Sequence, residues 1–362
     1  MTIGARHDFG RDWNEVETNW CFGVPLPIEP EKAWEALGVL EQLWPEYLGE
    51  VLARNLRGFP VMAHVIDDGL TLAACQRLEG FEDVLHRIKD GRQAALPEVR
   101  FAAILVKLGY QPVLDQEYHG KRPDARIVSE NQEIFIDVVS PEMSDEVKQS
   151  NAIAGTLAQK LLEHLSQQDT NKRLELYLLT PNPRDISQEV CAFLGNPAIF
   201  PSEVVDEIPN IALIKYSNNP ETEVPNVGPT ISADTDLPIM GHGSTNQTRN
   251  SVTVRYPFTD DRFERMMSRK AKQLSKDEIN LYVVDLSRVT GATKRWQPLA
   301  RRRLQPEINR RFSAIILFFR YMDNNTGVFV QHCYIEQHPN PYKKLPERLL
   351  NDLRKLNTAP LS

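Results

Sequence analysis

Cysteine is scarce in this chain: Cys21, Cys75, Cys191 and Cys333 are the four present, and none stands in a CxxC pair. That excludes a disulfide framework and points to reduced core residues of a cytoplasmic protein. His332, Cys333 and His338 come close together, but the other half of a zinc site is missing. No apolar run approaches membrane-spanning length, and the leading MTIGARHDFGRDWNE is too polar for a signal peptide, so no membrane partner is expected. There is no internal repeat. Gly228, Gly241 and Gly243 lack a strand before and a helix after them, which removes the dinucleotide and P-loop readings. No GxSxG elbow marks a serine hydrolase. Positive charge is short as well. With 42 Lys and Arg against 49 Asp and Glu, the net charge is −7, so any surface for nucleic acid has to be local.

What the chain does have is length and an ordinary globular balance: 362 residues, 41% hydrophobic and 25% charged, enough for two domains or one large one. Ala33, Trp34, Leu37, Leu40, Leu43, Leu48, Val51 and Leu52 recur at helical spacing, and a second helical pair follows between Val61 and Ile88. After Lys89-Asp90-Gly91 the pattern reads as a helix near 96–109 and strands at 111–118, 123–128 and 133–140. A helix at 145–167, a strand at 174–180, a helix near 186–194 and a strand at 211–215 come next. Residues 217–250 are rich in Asn, Pro, Thr and Gly and read as an irregular loop. Beyond it lie a short ordered stretch at 252–254, a charged helix at 260–273, a strongly apolar strand at 280–286, a hairpin from Phe312 to Ile335 and a terminal helix at 345–356. Helix, antiparallel strands, helix and further strand is an α/β order.

The informative stretch is Lys121–Ser140. Arg122-Pro123-Asp124 opens a strand, Ser129-Glu130-Asn131-Gln132 breaks it, and Ile134, Phe135, Ile136, Val138 and Val139 surround one acid, Asp137. A carboxylate in such an apolar strand is costly unless it is paired or bound to a metal. Antiparallel pairing can bring Asp124 and Asp137 together, and converging hard oxygen ligands suit Mg²⁺ chemistry on a phosphodiester.

Pro-Asp, a hairpin and an acid in an apolar strand, preceded by the helix Pro97–Tyr110 with Glu98 near its start, resemble the core of the PD-(D/E)XK nuclease superfamily. The resemblance rests on residues 96–140. It implies an α/β, restriction-endonuclease-like core with a central mixed β-sheet flanked by helices over 95–362; the helical spacing before it marks an N-terminal helical region over 1–94. It implies Mg²⁺, or Mn²⁺, held by Glu98, Asp124, Asp137 and the carbonyl of Val138. The pattern departs at one place, because Val139 stands where the family has its catalytic lysine.

Within the superfamily that lysine can come from a neighbouring element. Lys148 and Lys160 on the following helix are the candidates, Lys160 preferred, with Lys270 and Lys272 before the 280–286 strand as a further source. Basic residues concentrate between Arg262 and Arg311, where fourteen Lys and Arg face five acids. Lys270, Lys272, Lys294, Arg295, Arg301, Arg302 and Arg303, with Trp296 among them, suggest phosphate-backbone contact with base stacking. The function expected is a Mg²⁺-dependent nuclease with nucleic acid, DNA foremost, as partner. The alternative is a catalytically inactive nuclease-fold module that binds nucleic acid or a protein. A homodimer, or a partner engaged through the N-terminal helices, fits either.

Overall fold

The computed structural model describes residues 28–53, 59–91, 95–118, 120–142, 144–168, 171–179, 185–194, 204–208, 211–218, 239–244, 250–256, 262–287, 289, 292–322 and 329–356. In chain order the elements are α1 (Pro30–Leu43), α2 (Pro45–Ala53), α3 (Phe59–Cys75), α4 (Phe81–Lys89), α5 (Ala95–Lys107), β1 (Val113–Leu114), β2 (Ala125–Ser129) and β3 (Gln132–Val139). They continue with α6 (Asp145–Gln168), β4 (Lys172–Leu178), α7 (Ser187–Leu194), β5 (Val204–Ile208), β6 (Ala212–Asn218), β7 (Ile239–Ser244) and β8 (Ser251–Arg255). The last are α8 (Arg262–Ala271), β9 (Ile279–Asp285), α9 (Ala292–Arg303), β10 (Ala314–Met322), β11 (Phe329–Gln337) and α10 (Glu347–Lys355). No helix among the described residues is long and apolar enough to cross a membrane.

The chain forms two compact units. The first comprises the chain up to Ser140, Met267–Ser287 and everything from Ala300 on; the second comprises Pro141–Met266 and Arg288–Leu299. The expected boundary at 94/95 is therefore not where compactness divides the chain. Residues of α1, α3, α4 and α5 (Leu37, Leu40, Ile66, Val84, Phe101, Leu105) are buried in one cluster with Ile134, Ile136, Leu281 and Ile316 of the sheet. Those helices carry an apolar stripe each, buried against one another and against the sheet.

The first unit holds a mixed sheet in the order β1-β2-β3-β9-β10-β11. β1, β2 and β3 run antiparallel, β3, β9 and β10 run parallel, and β11 returns antiparallel. The chain is thus α/β with a central mixed sheet and flanking helices. Every residue of β9 is buried, the pattern of a strand covered on both faces. On β3 the alternation puts Ile134, Ile136 and Val138 into the helical cluster and leaves Phe135, Asp137 and Val139 on the opposite face. The β2–β3 turn is made by Glu130 and Asn131 at φ 51° and 59°, the left-handed pair that a two-residue hairpin turn requires. The strand expected at 111–118 shrinks to Val113–Leu114, with an isolated bridge between Tyr118 and Lys121.

The second unit has its own sheet, in the order β5-β6-β4-β8-β7, with α6 packed across β7 and β8. Leu157, Leu161 and Leu165 of α6 are fully or almost fully buried, as are Leu174, Leu176, Val252 and Val254. Strand β7 lies inside the stretch expected to be irregular, and β5 was not expected at all. Within 217–250, residues 219–238 and 245–249 lie outside the described residues.

Candidate functional site

Asp124 comes directly before β2. The register sets Ala125 opposite Ile136, so the next pair outward sets Asp124 opposite Asp137, as the hairpin pattern requires. An Asp124 carboxylate oxygen accepts the Val138 peptide N–H at 2.7 Å, which ties the acid to the strand that carries its partner. Val138 thus contributes a donor here, where its carbonyl was expected to contribute a ligand.

Asp137 sits in an apolar strand and is compensated by a cation. Lys270 Nζ, on the last turn of α8, lies 2.7 Å from Asp137 Oδ1, and both side chains are largely shielded from solvent. Arg126, on the neighbouring strand β2, pairs with Glu133. The parallel neighbour of Asp137 is Tyr282 of β9, and burial, then the charges of Asp137 and Asp124, push its hydroxyl pKa well up.

Glu98 is buried in the first turn of α5, and Arg87 of α4 holds it through two hydrogen bonds of 3.0 and 2.6 Å. The same guanidinium reaches Asp115 at 3.2 Å. Arg122 closes the chain of charges, its Nε lying 2.7 Å from Asp115 Oδ1 and 2.9 Å from the Asp115 carbonyl. Gly80 makes this approach possible. At φ +80° it begins α4 against Leu114, whose carbonyl oxygen would lie 1.8 Å from any Cβ placed there.

Crowding of carboxylates shows in their acidities. Loss of hydration, then the Glu98 charge, drive the Asp124 carboxyl up to about 8, with Asp137 adding to the rise and the Val138 N–H and Lys270 opposing it. Burial also raises Glu98, against the lowering effect of Arg87. Among the described residues no group of three or more His, Cys, Asp and Glu is arranged to hold a metal ion. Glu98 is committed to Arg87 and Asp137 is engaged by Lys270, so a metal at the Asp124–Asp137 pair would share Asp137 with the lysine. Two carboxylates fit Mg²⁺, which keeps most of its waters and is bound by one or two carboxylates together with substrate phosphate.

The other sequence candidates are placed as follows. Lys160 pairs with Asp185, and Lys148, exposed, lies 3.8 Å from Glu142 and 3.5 Å from Asp145, all within the second unit. The lysine paired with Asp137 is Lys270. The reason is topological. The parallel neighbour of β3 is β9, so the crossover helix leading into it is α8, whereas α6 leads to β4 in the other sheet.

The basic stretch is divided. Arg301 pairs with Glu336 at 2.9 Å, Lys272 and Arg302 are exposed, and Arg303 is half-buried. Arg311 donates from Nη1 to the carbonyls of Ala271, Lys272 and Leu274, at 3.2, 3.4 and 3.2 Å, and so caps the end of α8. Lys294 and Arg295 begin α9, and their side chains lie outside the described residues. The base-stacking expectation for Trp296 is overturned. It is completely buried, 5.4 Å from the Phe263 ring, as the apolar residue on the inner side of a basic helix. His338 is buried with Nε2 2.7 Å from the Ile308 carbonyl, a structural contact.

Sequence reasoning missed Arg87, Asp115, Arg122 and Tyr282. Arg122 alone carried a local signal, its place beside Pro123-Asp124; the others are joined only by tertiary packing. No protein-family model, curated protein or solved structure matches this chain.

Proposed function

We propose that the first unit is a restriction-endonuclease-like core and that the chain is a Mg²⁺-dependent nuclease of the PD-(D/E)XK type. The observation that carries this reading is the Lys270 amine on Asp137, opposite Asp124 across the hairpin. Two carboxylates can hold a metal ion and a lysine beside them can stabilise developing charge on a phosphodiester, and α8 supplies the lysine that Val139 denies to β3.

Asp124 and Asp137 would hold Mg²⁺, or Mn²⁺, which when bound neutralises phosphoryl oxygens and makes its water more acidic. Lys270, paired with Asp137, offers N–H donors where negative charge grows as the phosphodiester is attacked. Arg87 and Lys270 balance the carboxylates of Glu98 and Asp137, so the cluster persists without leaving buried charges unpaired.

The commitment of Glu98 to Arg87 favours a second reading, a nuclease-fold module that binds nucleic acid without cleaving it. One experiment separates the two. Single- and double-stranded DNA and RNA are incubated with Mg²⁺ or Mn²⁺ and the wild type or Asp137→Ala. The nuclease reading requires metal-dependent cleavage that the variant loses. Binding without cleavage, unchanged in Asp137→Ala, would leave the binding module.

A further inference from the structure

Phosphodiester hydrolysis needs the substrate backbone held in register beside the reacting phosphate, and a pair of carboxylates repels that backbone. Positive charge is therefore needed next to Asp124. Several cations of the first unit are engaged in holding the fold: Arg301 on Glu336, Arg310 through Nε on the Asn340 carbonyl, and Arg311 on the end of α8.

Arg122 is placed differently. It stands two residues before Asp124 in the chain, and its side chain is 59% exposed. Its Nε is held twice, by the Asp115 carboxylate at 2.7 Å and the Asp115 carbonyl at 2.9 Å. Nη2 has the carboxylate of Asp83 at 3.9 Å, beyond hydrogen-bond distance.

The anchor is unusual. Asp115 is buried, takes φ 47°, a left-handed conformation uncommon for a non-glycine residue, and donates its own N–H to the Asp124 carbonyl at 3.2 Å. Arg87, at 3.2 Å, holds the buried Asp115 carboxylate from the other side, so Asp115 fixes the inner edge of the Arg122 guanidinium while the Arg122 side chain remains 59% exposed. A guanidinium held this way suits phosphate oxygens, which accept parallel N–H donors.

Resting on the nuclease reading above, we propose that Arg122 binds a backbone phosphate of the nucleic acid adjoining the one at the carboxylate pair. Asp115 and Arg87 act as positioning residues: Asp115 orients Arg122, and Arg87 ties Asp115 to Glu98. Asp83 competes weakly with the phosphate.

The test is binding of labelled single-stranded and duplex oligonucleotides to the full chain, followed by anisotropy in Ca²⁺ buffer from roughly 50 to 200 mM salt. Arg122→Ala is expected to weaken binding about tenfold and to lower the salt slope by about one, the loss of a single phosphate contact. Arg122→Lys is expected to keep the slope and recover only part of the affinity, because an ammonium cannot use the Asp115 anchor in the same way. Asp83→Asn is expected to tighten binding about twofold by removing the competing acid. Wild-type affinity and slope in Arg122→Ala would overturn the proposal. Should that variant fail to fold, Asp83→Asn decides: tighter binding supports the proposal, and unchanged binding overturns it. A wild type that binds no oligonucleotide overturns the nuclease reading itself, and this assignment with it.

Discussion

The amine of Lys270 lies 2.7 Å from the carboxylate of Asp137, although Pro141–Met266, the larger segment of the second unit, separates the two residues in sequence. Both stand a few residues from a junction, Asp137 before Ser140/Pro141 and Lys270 after Met266/Met267. The strand pairing of β3 with β9 restores to three-dimensional proximity what the sequence spreads apart.

Lys270→Met is expected to reduce metal-dependent cleavage about 10²- to 10³-fold, the usual cost of losing one preorganised donor in the transition state. Lys160→Met, which removes an exposed pair with Asp185, should leave cleavage near wild type. Rates at saturating Mg²⁺ check both.

Arg87→Met would strand the Glu98 carboxylate in a buried position, at a cost of about 3 kcal/mol in urea unfolding. Adding Glu98→Gln to that variant should recover part of the loss, because the amide carries no charge. If the double variant is no more stable than Arg87→Met, the pair does not contribute as a unit.

The hairpin and its two carboxylates were legible in the sequence because alternation, a polar tetrapeptide and one acid in an apolar run are all local signals. Strands β5 and β7 were not. Val204–Ile208 carries two acids in five residues, and Ile239–Ser244 contains two glycines within a polar stretch, so neither shows the apolar alternation of a strand. The identity of the lysine was hidden for a different reason. Lys148, Lys160 and Lys270 all sit on helices, and only the pairing of β3 with β9 rather than β4 decides which helix crosses Asp137. Arg87, Asp115 and Glu98 are joined through the close approach at Gly80, which no spacing rule announces.

The raised pKa of Asp124 has a consequence for stability. The folded state keeps its proton up to about 8, whereas the unfolded chain releases it near the ordinary carboxylate value. Between those two values the folded state binds more protons, so this group's contribution is present at low pH and is lost as pH rises toward about 8. Asp124→Asn removes the effect. Its melting temperature should exceed that of the wild type by more at pH 8 than at pH 5, measured without divalent cation. A difference independent of pH would show that Asp124 is not held protonated.

Asn280, almost fully buried at the start of β9, donates from Nδ2 to the carbonyls of Ser275, Glu278 and Arg311, at 2.7, 3.0 and 2.9 Å. Asn280→Ala leaves those carbonyls without this donor, at about 1–3 kcal/mol. It also loosens the link between α8 and β9 that places Lys270. Cleavage should fall with little change in substrate affinity, because the residue positions the lysine and does not touch the nucleic acid. A raised KM at unchanged kcat would contradict that role.

The most direct test of the central claim moves the lysine. Val139→Lys is built into Lys270→Met, and Mg²⁺-dependent cleavage is compared across the wild type, Lys270→Met and the double variant. If α8 supplies the cation that β3 lacks, cleavage is lost in Lys270→Met and returns, at least in part, in the double variant. Cleavage at the wild-type rate in Lys270→Met would contradict the account.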